Sequence, residues 1–295
     1  MSDLYESVII GGGPAGLSAA LVLGRCLRRT LVLDSGRYRN ERSHALHCFL
    51  SRDGIPPAEL LSHARKQLRQ YDSVAQMHMR VGSIDRDGAG FVVGTDAGDL
   101  FRCRSLLVAT GVVDELPEIE GIEELFGRTV HVCPYCDGWE HRGAPIAVFG
   151  KGSKAASLAL LLRQWTGDLV LCTHGPHEIG ADDLERLEAR RIPVREQVIR
   201  KLEGADGRLK SIRFADGTRL DRQALFFSTG QHPRSRLLEN LGCRYGDKGV
   251  ECNEDGETSI LGVYVAGDVS RDVQLAIIAA AEGARAGLAI NRWLL

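Results

Sequence analysis

At 295 residues the chain is long enough for two domains of roughly 150 residues each, and 44% apolar with 26% charged residues is the composition of a folded globular protein, which excludes disorder. A formal net charge of -2 offers no basic field to nucleic acid or anionic lipid, so neither is expected as a partner. Glycine is the outlier, with 34 residues where average usage gives about 20; the glycines cluster beside strand-like runs, where backbone approaches a ligand closely.

The first segment reads as a strand at Ser7-Val8-Ile9-Ile10, a loop at Gly11-Gly12-Gly13-Pro14-Ala15-Gly16, a helix from Leu17 to Arg25, and a second strand at Thr30-Leu31-Val32-Leu33 ending at Asp34. This is a βαβ unit, whose parallel strands need a crossover helix. Val8 to Gly24 carries no charge, but Asp3 and Glu6 stand where a signal peptide needs positive charge, and the glycine-proline run would break its helix. No other stretch approaches the ~18 apolar residues of a spanning helix, so a cytoplasmic protein with no membrane partner is expected. Helical spacing follows from Pro57 to Tyr71, then an antiparallel meander from Val81 to Arg104 with turns at Asp87-Gly88 and Asp96-Ala97-Gly98. A buried strand, Leu106-Leu107-Val108-Ala109, ends in Thr110-Gly111.

The pattern then restarts. Ala144 to Phe149 is strand-like, Gly150-Lys151-Gly152-Ser153-Lys154-Ala155 is a second glycine loop, Ala156 to Trp165 is helical, and Asp168 to Thr173 is a second strand. Another meander spans Val198 to Leu220, and Leu225-Phe226-Phe227-Ser228-Thr229-Gly230 echoes the earlier strand ending in Thr-Gly. Two nucleotide-binding modules related by duplication explain this repetition. A strand at Gly262 to Val265, then Ala266-Gly267-Asp268, and a helix from Gln274 to Trp293 complete the chain.

Three motifs carry chemistry. In the first, G-x-G-x-x-G, Gly11 permits the tight turn, Gly13 lets the backbone reach a pyrophosphate, and Gly16 allows close helix-strand packing. The helix N-terminus adds its free N–H groups, and Asp34 stands where an acid bonds ribose hydroxyls. The second motif, Gly150, Gly152 and Ala155, has the same context, but Thr173-His174-Gly175-Pro176-His177 supplies neither the arginines that clamp a 2′-phosphate nor an acid for a free ribose. It is either a nicotinamide site or a retained fold with a weakened site. The third is Cys133-Pro134-Tyr135-Cys136, followed by Asp137-Gly138; two cysteines at this spacing form a redox pair. Zinc fits poorly, because no second C-x-x-C exists and His131 is too near to be an independent ligand. Asp137 is either a proton donor to a departing thiolate or a turn residue. The other six cysteines are scattered singly, with no framework spacing, as suits a reducing compartment. His44 and His47 lack a grouped carboxylate, so no metal is expected there. Trp139 and Trp165 read as packing residues.

In this order and spacing the motifs cover essentially the whole chain, which resembles the thioredoxin reductase family of small FAD-dependent pyridine nucleotide-disulfide oxidoreductases, in its Cys-Pro-Tyr-Cys branch. The resemblance implies an α/β fold of two Rossmann-like three-layer domains: a discontinuous FAD domain at 1–113 and 243–295, and an inserted central NAD(P)-like domain at 114–242 carrying the disulfide. It implies FAD contacts from Gly11, Gly13, Pro14, Ala15, Gly16, Asp34, Thr110, Gly111, Gly267, Asp268 and Gln274, with the last helix directing its N-terminus at the flavin. Cys136 is implied to exchange electrons with the flavin and Cys133 with the substrate sulfur, Asp137 moving the proton. A thioredoxin-like protein or a small dithiol or disulfide is the implied partner, and a homodimer the implied assembly. The chain departs from the family where His-Arg-Arg would bind NADPH, and where Arg-Gln-Ala is replaced by Val273-Gln274-Leu275. Two rivals follow: an oxidase that closes disulfides in small dithiol metabolites with oxygen as acceptor, and a flavin-binding redox sensor.

Overall fold

A computed structural model describes residues 4–88, 90–246, 249–270 and 273–295. The chain divides into two units, one formed by Met1–Glu41, Cys48–Val113 and His232–Leu295, the other by Arg42–His47 and Asp114–Gln231. Each is Rossmann-like.

In the first unit a seven-stranded sheet follows the hydrogen-bonded order Val74–His78, Thr30–Asp34, Leu4–Ile10, Leu100–Val108, Gly90–Thr95, Val81–Asp87. The strand Leu100–Val108 changes partner along one edge. Its first half pairs antiparallel with Gly90–Thr95, through Phe91 opposite Cys103, while its second half pairs parallel with Val263–Val265, through Val263 opposite Leu106. The meander and the strand at Leu106, expected as separate elements, are therefore joined by one strand. Alternation sorts the two faces: Ile9, Val32, Leu107 and Tyr264 pack with the helices Pro14–Arg25 and Ala276–Trp293, and Val8, Ile10, Leu31, Leu33, Leu106 and Val108 pack on the opposite side with Phe91 and Val93. The two helices touch through small residues, and a Cβ at Gly283 would overlap the Ala15 carbonyl. The first helix starts at Pro14 rather than Leu17, because proline suits the first helical position, where its missing N–H has no helical partner. Leu107 is fully buried; Leu107→Ala should cost about 2–5 kcal/mol through lost transfer energy and the cavity left behind, read as a lower urea midpoint.

The second unit has a five-stranded parallel sheet, in the order Val194–Arg195, Leu169–Cys172, Ile146–Phe149, Ala224–Phe227, Val130–His131. One face packs on the helices Gly152–Leu162 and Ala181–Ala189, through Val148, Leu171 and Phe226. The other packs on a separate three-stranded antiparallel sheet, Ile199–Ala205, Arg208–Phe214 and Arg219–Asp221, through Val170, Cys172, Phe214 and Phe227. This unit ends at Gln231, short of the expected 242. The chain returns to the first unit at Arg234, whose N–H donates to the Gly111 carbonyl at 3.1 Å, and the helix Leu237–Leu241 then adds Leu237 and Leu238 to the first unit's core.

Candidate functional site

The first glycine loop leaves the strand Leu4–Ile10 and enters the helix Pro14–Arg25. Gly11 has φ +115°, and a Cβ there would run into the Ala109 carbonyl; only glycine fits the turn. A Cβ at Gly16 would collide with the Gly11 carbonyl, which is the close helix-strand packing expected there. Gly13 differs: its backbone is extended, at φ −79° and ψ −174°, and a Cβ would meet nothing within 4 Å. The backbone thus borders open space at the end of a helix that no side chain caps, with free first-turn N–H groups directed outward. Pro14 opens that helix and Ala15 is buried on it.

Asp34 closes the second strand. It accepts from the Gly36 N–H at 3.1 Å, from Arg65 at 3.1 Å, and from the Tyr38 hydroxyl. Burial alone would raise its pKa, but hydrogen bonds from Tyr38, Gly36, Arg65 and the Gly12 N–H outweigh it and hold the carboxyl below the ordinary carboxylate value. Burial and the adjacent Asp34 push the Tyr38 phenol up in turn. At the chain's far end, Gly267 (φ +81°) donates its N–H to Glu282 at 2.9 Å. Arg39 donates to Asp268 at 3.0 Å and to the Gln274 side-chain oxygen at 2.5 Å. The other end of that amide, Gln274 Nε2, is buried with no hydrogen-bond partner among the described residues. The last helix begins at Ala276, so Gln274 precedes it. Thr110 accepts from Ser235 at 3.3 Å, and Gly111 (φ +69°) faces open space. An orphaned amide donor and the glycine backbone at open space fit a phosphate-bearing cofactor such as FAD. Tyr38, Arg39 and Arg65 escaped the sequence reading. The only signal for Tyr38 and Arg39 was their place a few residues after the expected ribose acid, and Arg65 had none.

The second glycine loop is built alike, with Gly150 at φ +151°, Gly152 at φ +64°, and Ala155 buried beneath. Its surroundings differ. Lys151 pairs with Glu178 at 3.1 Å. His174 Nδ1 accepts the Ile199 N–H at 3.1 Å, and His177 Nδ1 accepts the Ile179 N–H at 2.9 Å. The Nδ1 atoms of both histidines are thus committed to backbone. Arg195, on the neighbouring strand, lays its guanidinium over the Phe214 ring, 5.3 Å from the centroid.

In the same unit Cys133 and Cys136 form a disulfide, with Cα atoms 5.3 Å apart. Cys133 is the N-cap of the short helix Pro134–Asp137 and Cys136 lies within it, its N–H donating to Cys133 Sγ at 3.2 Å. Gly138 then lets the turn sit on Trp165, where a Cβ would press against the indole, and Tyr135 meets that indole edge-on at 6.2 Å. Trp165 packs as expected. Trp139 does not, being 63% exposed with Arg142 stacked over it at 4.3 Å. Asp137 Oδ1 lies 3.3 Å from Nδ1 of the buried His131. The nearby histidines pair elsewhere, His44 with Arg128 at 2.6 Å and His47 with Glu140 at 3.5 Å. Burial pushes the thiols of Cys103 and Cys172 up to about 12, which leaves them inert core fillers.

Residues 5–283 match the family model for pyridine nucleotide-disulphide oxidoreductase. The thioredoxin reductase tcpT of Claviceps purpurea is 34% identical over 90% of this chain and 87% of its own length. Among solved structures, HlmI superposes with a TM-score of 0.95 at 37% identity, covering 98% of this chain and 92% of that one. The thioredoxin reductase TrxB of Bacillus anthracis superposes at 0.93 with 32% identity, covering 98% and 97%. Two Rossmann-like units, two glycine loops, a neighbouring-cysteine disulfide and these likenesses agree: the chain belongs to the pyridine nucleotide-disulphide oxidoreductase family and is a thioredoxin reductase-like member of it.

Proposed function

We propose that this flavoprotein disulfide oxidoreductase passes electrons between FAD and a dithiol or disulfide substrate through the Cys133–Cys136 pair. The observation that carries this reading is the closed disulfide on a tight turn with Asp137 immediately after it. FAD would be held by Gly11, Gly13, Pro14, Ala15, Gly16, Asp34, Thr110, Gly111, Gly267, Asp268 and Gln274, in the unit that contains the open Gly13 backbone and the orphaned Gln274 amide. When bound, the flavin supplies two-electron transfer; the chain supplies binding, orientation and electrostatics. Cys136 is the cysteine that exchanges electrons with it. Cys133 meets the substrate sulfur through a mixed disulfide, and Asp137 donates or accepts the proton. The substrate is a thioredoxin-like protein or a small dithiol or disulfide, and the assembly a homodimer. An anaerobic spectrum of the purified protein, titrated in turn with NADPH, NADH and a dithiol, tests the reading; a flavin band bleached by no dithiol defeats it.

The second site favours a particular donor. A guanidinium fork on a 2′-phosphate is among the stronger charge-assisted contacts, and here the histidines bond backbone while Lys151 is held by Glu178. NADPH should therefore reduce the flavin far more slowly than a dithiol does, as followed by stopped-flow absorbance. Complete reduction by micromolar NADPH within a turnover time would overturn this. The same observation supports a second reading, an oxidase that closes disulfides in small dithiols and delivers their electrons to oxygen, for which dithiol-dependent peroxide formation is the assay.

A further inference from the structure

Two histidines beside the disulfide have no task in the reading above. His131 ends the edge strand Val130–His131, opposite Phe226 in parallel register, and is only 5% exposed. Its Nδ1 lies 3.3 Å from Asp137 Oδ1, and its Nε2 lies 2.9 Å from Nε2 of His141. The two imidazoles stand 5.0 Å apart, centroid to centroid, and the Phe226 ring packs against both, at 5.2 and 6.1 Å. Asp137, His131 and His141 form an unbranched polar line that begins at the residue after Cys136.

Proton positions along the line follow from its geometry. A carboxylate only accepts, so the 3.3 Å approach of His131 Nδ1 to Asp137 Oδ1 suits a proton on that nitrogen. Two ring nitrogens at 2.9 Å must share one proton between them, because two lone pairs or two N–H groups would repel. With His131 neutral, its Nε2 accepts and His141 Nε2–H donates. One proton can then travel along the line: from His141 Nε2 to His131 Nε2 and, as the 3.3 Å approach of His131 Nδ1 to Asp137 Oδ1 tightens into a hydrogen bond, from His131 Nδ1 to the carboxylate, with a water proton refilling His141 at Nδ1. Both imidazoles end neutral and Asp137 ends protonated. His141 faces His131, Asp137 and the Phe226 ring, while its chain neighbour Glu140 pairs with His47. Burial and His131 push His141 down to about 4, with Asp137 opposing, so it stays neutral and able to pass protons near pH 7.

We propose that Asp137, His131 and His141 form the proton line serving the Cys133–Cys136 exchange, with Asp137 at the sulfur end and the two histidines positioning and resupplying it. This rests on the dithiol/disulfide reading. In the step served, a substrate thiolate attacks Cys133 Sγ, a mixed disulfide forms, the Cys133–Cys136 bond breaks, and Cys136 leaves as a thiolate that takes the Asp137 proton. The second substrate thiol, deprotonated, attacks the substrate sulfur of the mixed disulfide and expels Cys133. The substrate loses two electrons and two protons in becoming a disulfide; the cysteine pair gains both in becoming a dithiol. Reduction of a substrate disulfide runs the same steps backwards.

Two substitutions separate relay from support. His141→Phe keeps a ring against Phe226 without nitrogens, and His141→Gln restores a donor to His131 that cannot pass its proton on. The full-length protein is mixed with dithiothreitol and quenched with an alkylating agent, and labelled Cys133 and Cys136 are counted by mass spectrometry, across neutral pH and in light and heavy water. General acid-base assistance contributes about 10²–10⁴-fold, and losing only its resupply should slow opening at pH 7 by roughly tenfold in both variants, with a changed pH profile and a reduced solvent isotope effect. A wild-type rate and pH profile in either variant would overturn the proton line; recovery in His141→Gln alone would leave His141 a mere support. If His141→Phe does not fold, His141→Gln alone decides. Flavin absorbance in the same samples tests the parent reading separately: slowed labelling with a flavin that dithiol never bleaches keeps the proton line and removes the flavin-linked function, and a bleached flavin with unaffected labelling does the reverse.

Discussion

Gly13→Val should give a folded protein that purifies colourless and takes up no FAD on reconstitution. The substitution tests cofactor approach cleanly. Gly13 is in extended backbone that valine adopts readily, and its added Cβ meets no protein atom within 4 Å. Stability should therefore stay within about 0.5 kcal/mol of the parent, as for substitutions away from packed features. What the branched side chain fills is the space through which backbone N–H groups reach a pyrophosphate, so the phosphate loses both its hydrogen bonds and its proximity to the helix N-terminus. Changing Gly11 or Gly16 cannot make this distinction, because a side chain at either meets backbone and damages the strand-helix turn itself. The measurements are visible absorbance for the flavin and far-ultraviolet circular dichroism for the fold. A yellow Gly13→Val protein would remove this loop from the cofactor site.

The glycine loops and the cysteine pair were legible in the sequence because their constraints are local. Gly16 is fixed by the Gly11 carbonyl of its own turn, Gly11 by its own left-handed φ as well as by the distant Ala109 carbonyl, and the disulfide by a three-residue separation. What stayed hidden depends on distant chain segments meeting. Leu100–Val108 looked like two elements because its pairing switches from Gly90–Thr95 to Val263–Val265, and no period in one segment encodes a change of partner. Arg65 reaches Asp34 only because the helix Pro57–Leu68 packs beside the second strand's end. The pair His131 and His141 lies on either side of the cysteine turn, and it is Phe226, from the adjacent strand, that brings both rings together. The missing arginines at 174 and 177 were visible as residue types, but the engagement of both histidines with backbone was not. Trp139 was misread because a tryptophan's type favours packing, whereas its exposure is set by the loop that carries it past the turn.

Cys133→Ser and Cys136→Ser should lose dithiol/disulfide turnover to background yet differ in spectrum, since a single thiol cannot complete the exchange but can still report which sulfur neighbours the flavin. With Cys136 as the flavin-side thiol, Cys133→Ser leaves its thiolate beside the oxidised ring and should show a long-wavelength charge-transfer band, bleached on acidification as the sulfur is protonated. Cys136→Ser should show no such band and leave Cys133 open to alkylation. The turn gives the two sulfurs different surroundings: Cys133 sits at the N-cap and accepts the Cys136 N–H at 3.2 Å, a donor that favours negative sulfur there and suits the thiol that attacks or releases substrate. Tyr135, between the cysteines, is 61% exposed. A charge-transfer band confined to Cys136→Ser would exchange the two roles, and full turnover in either variant would take the disulfide out of the reaction altogether.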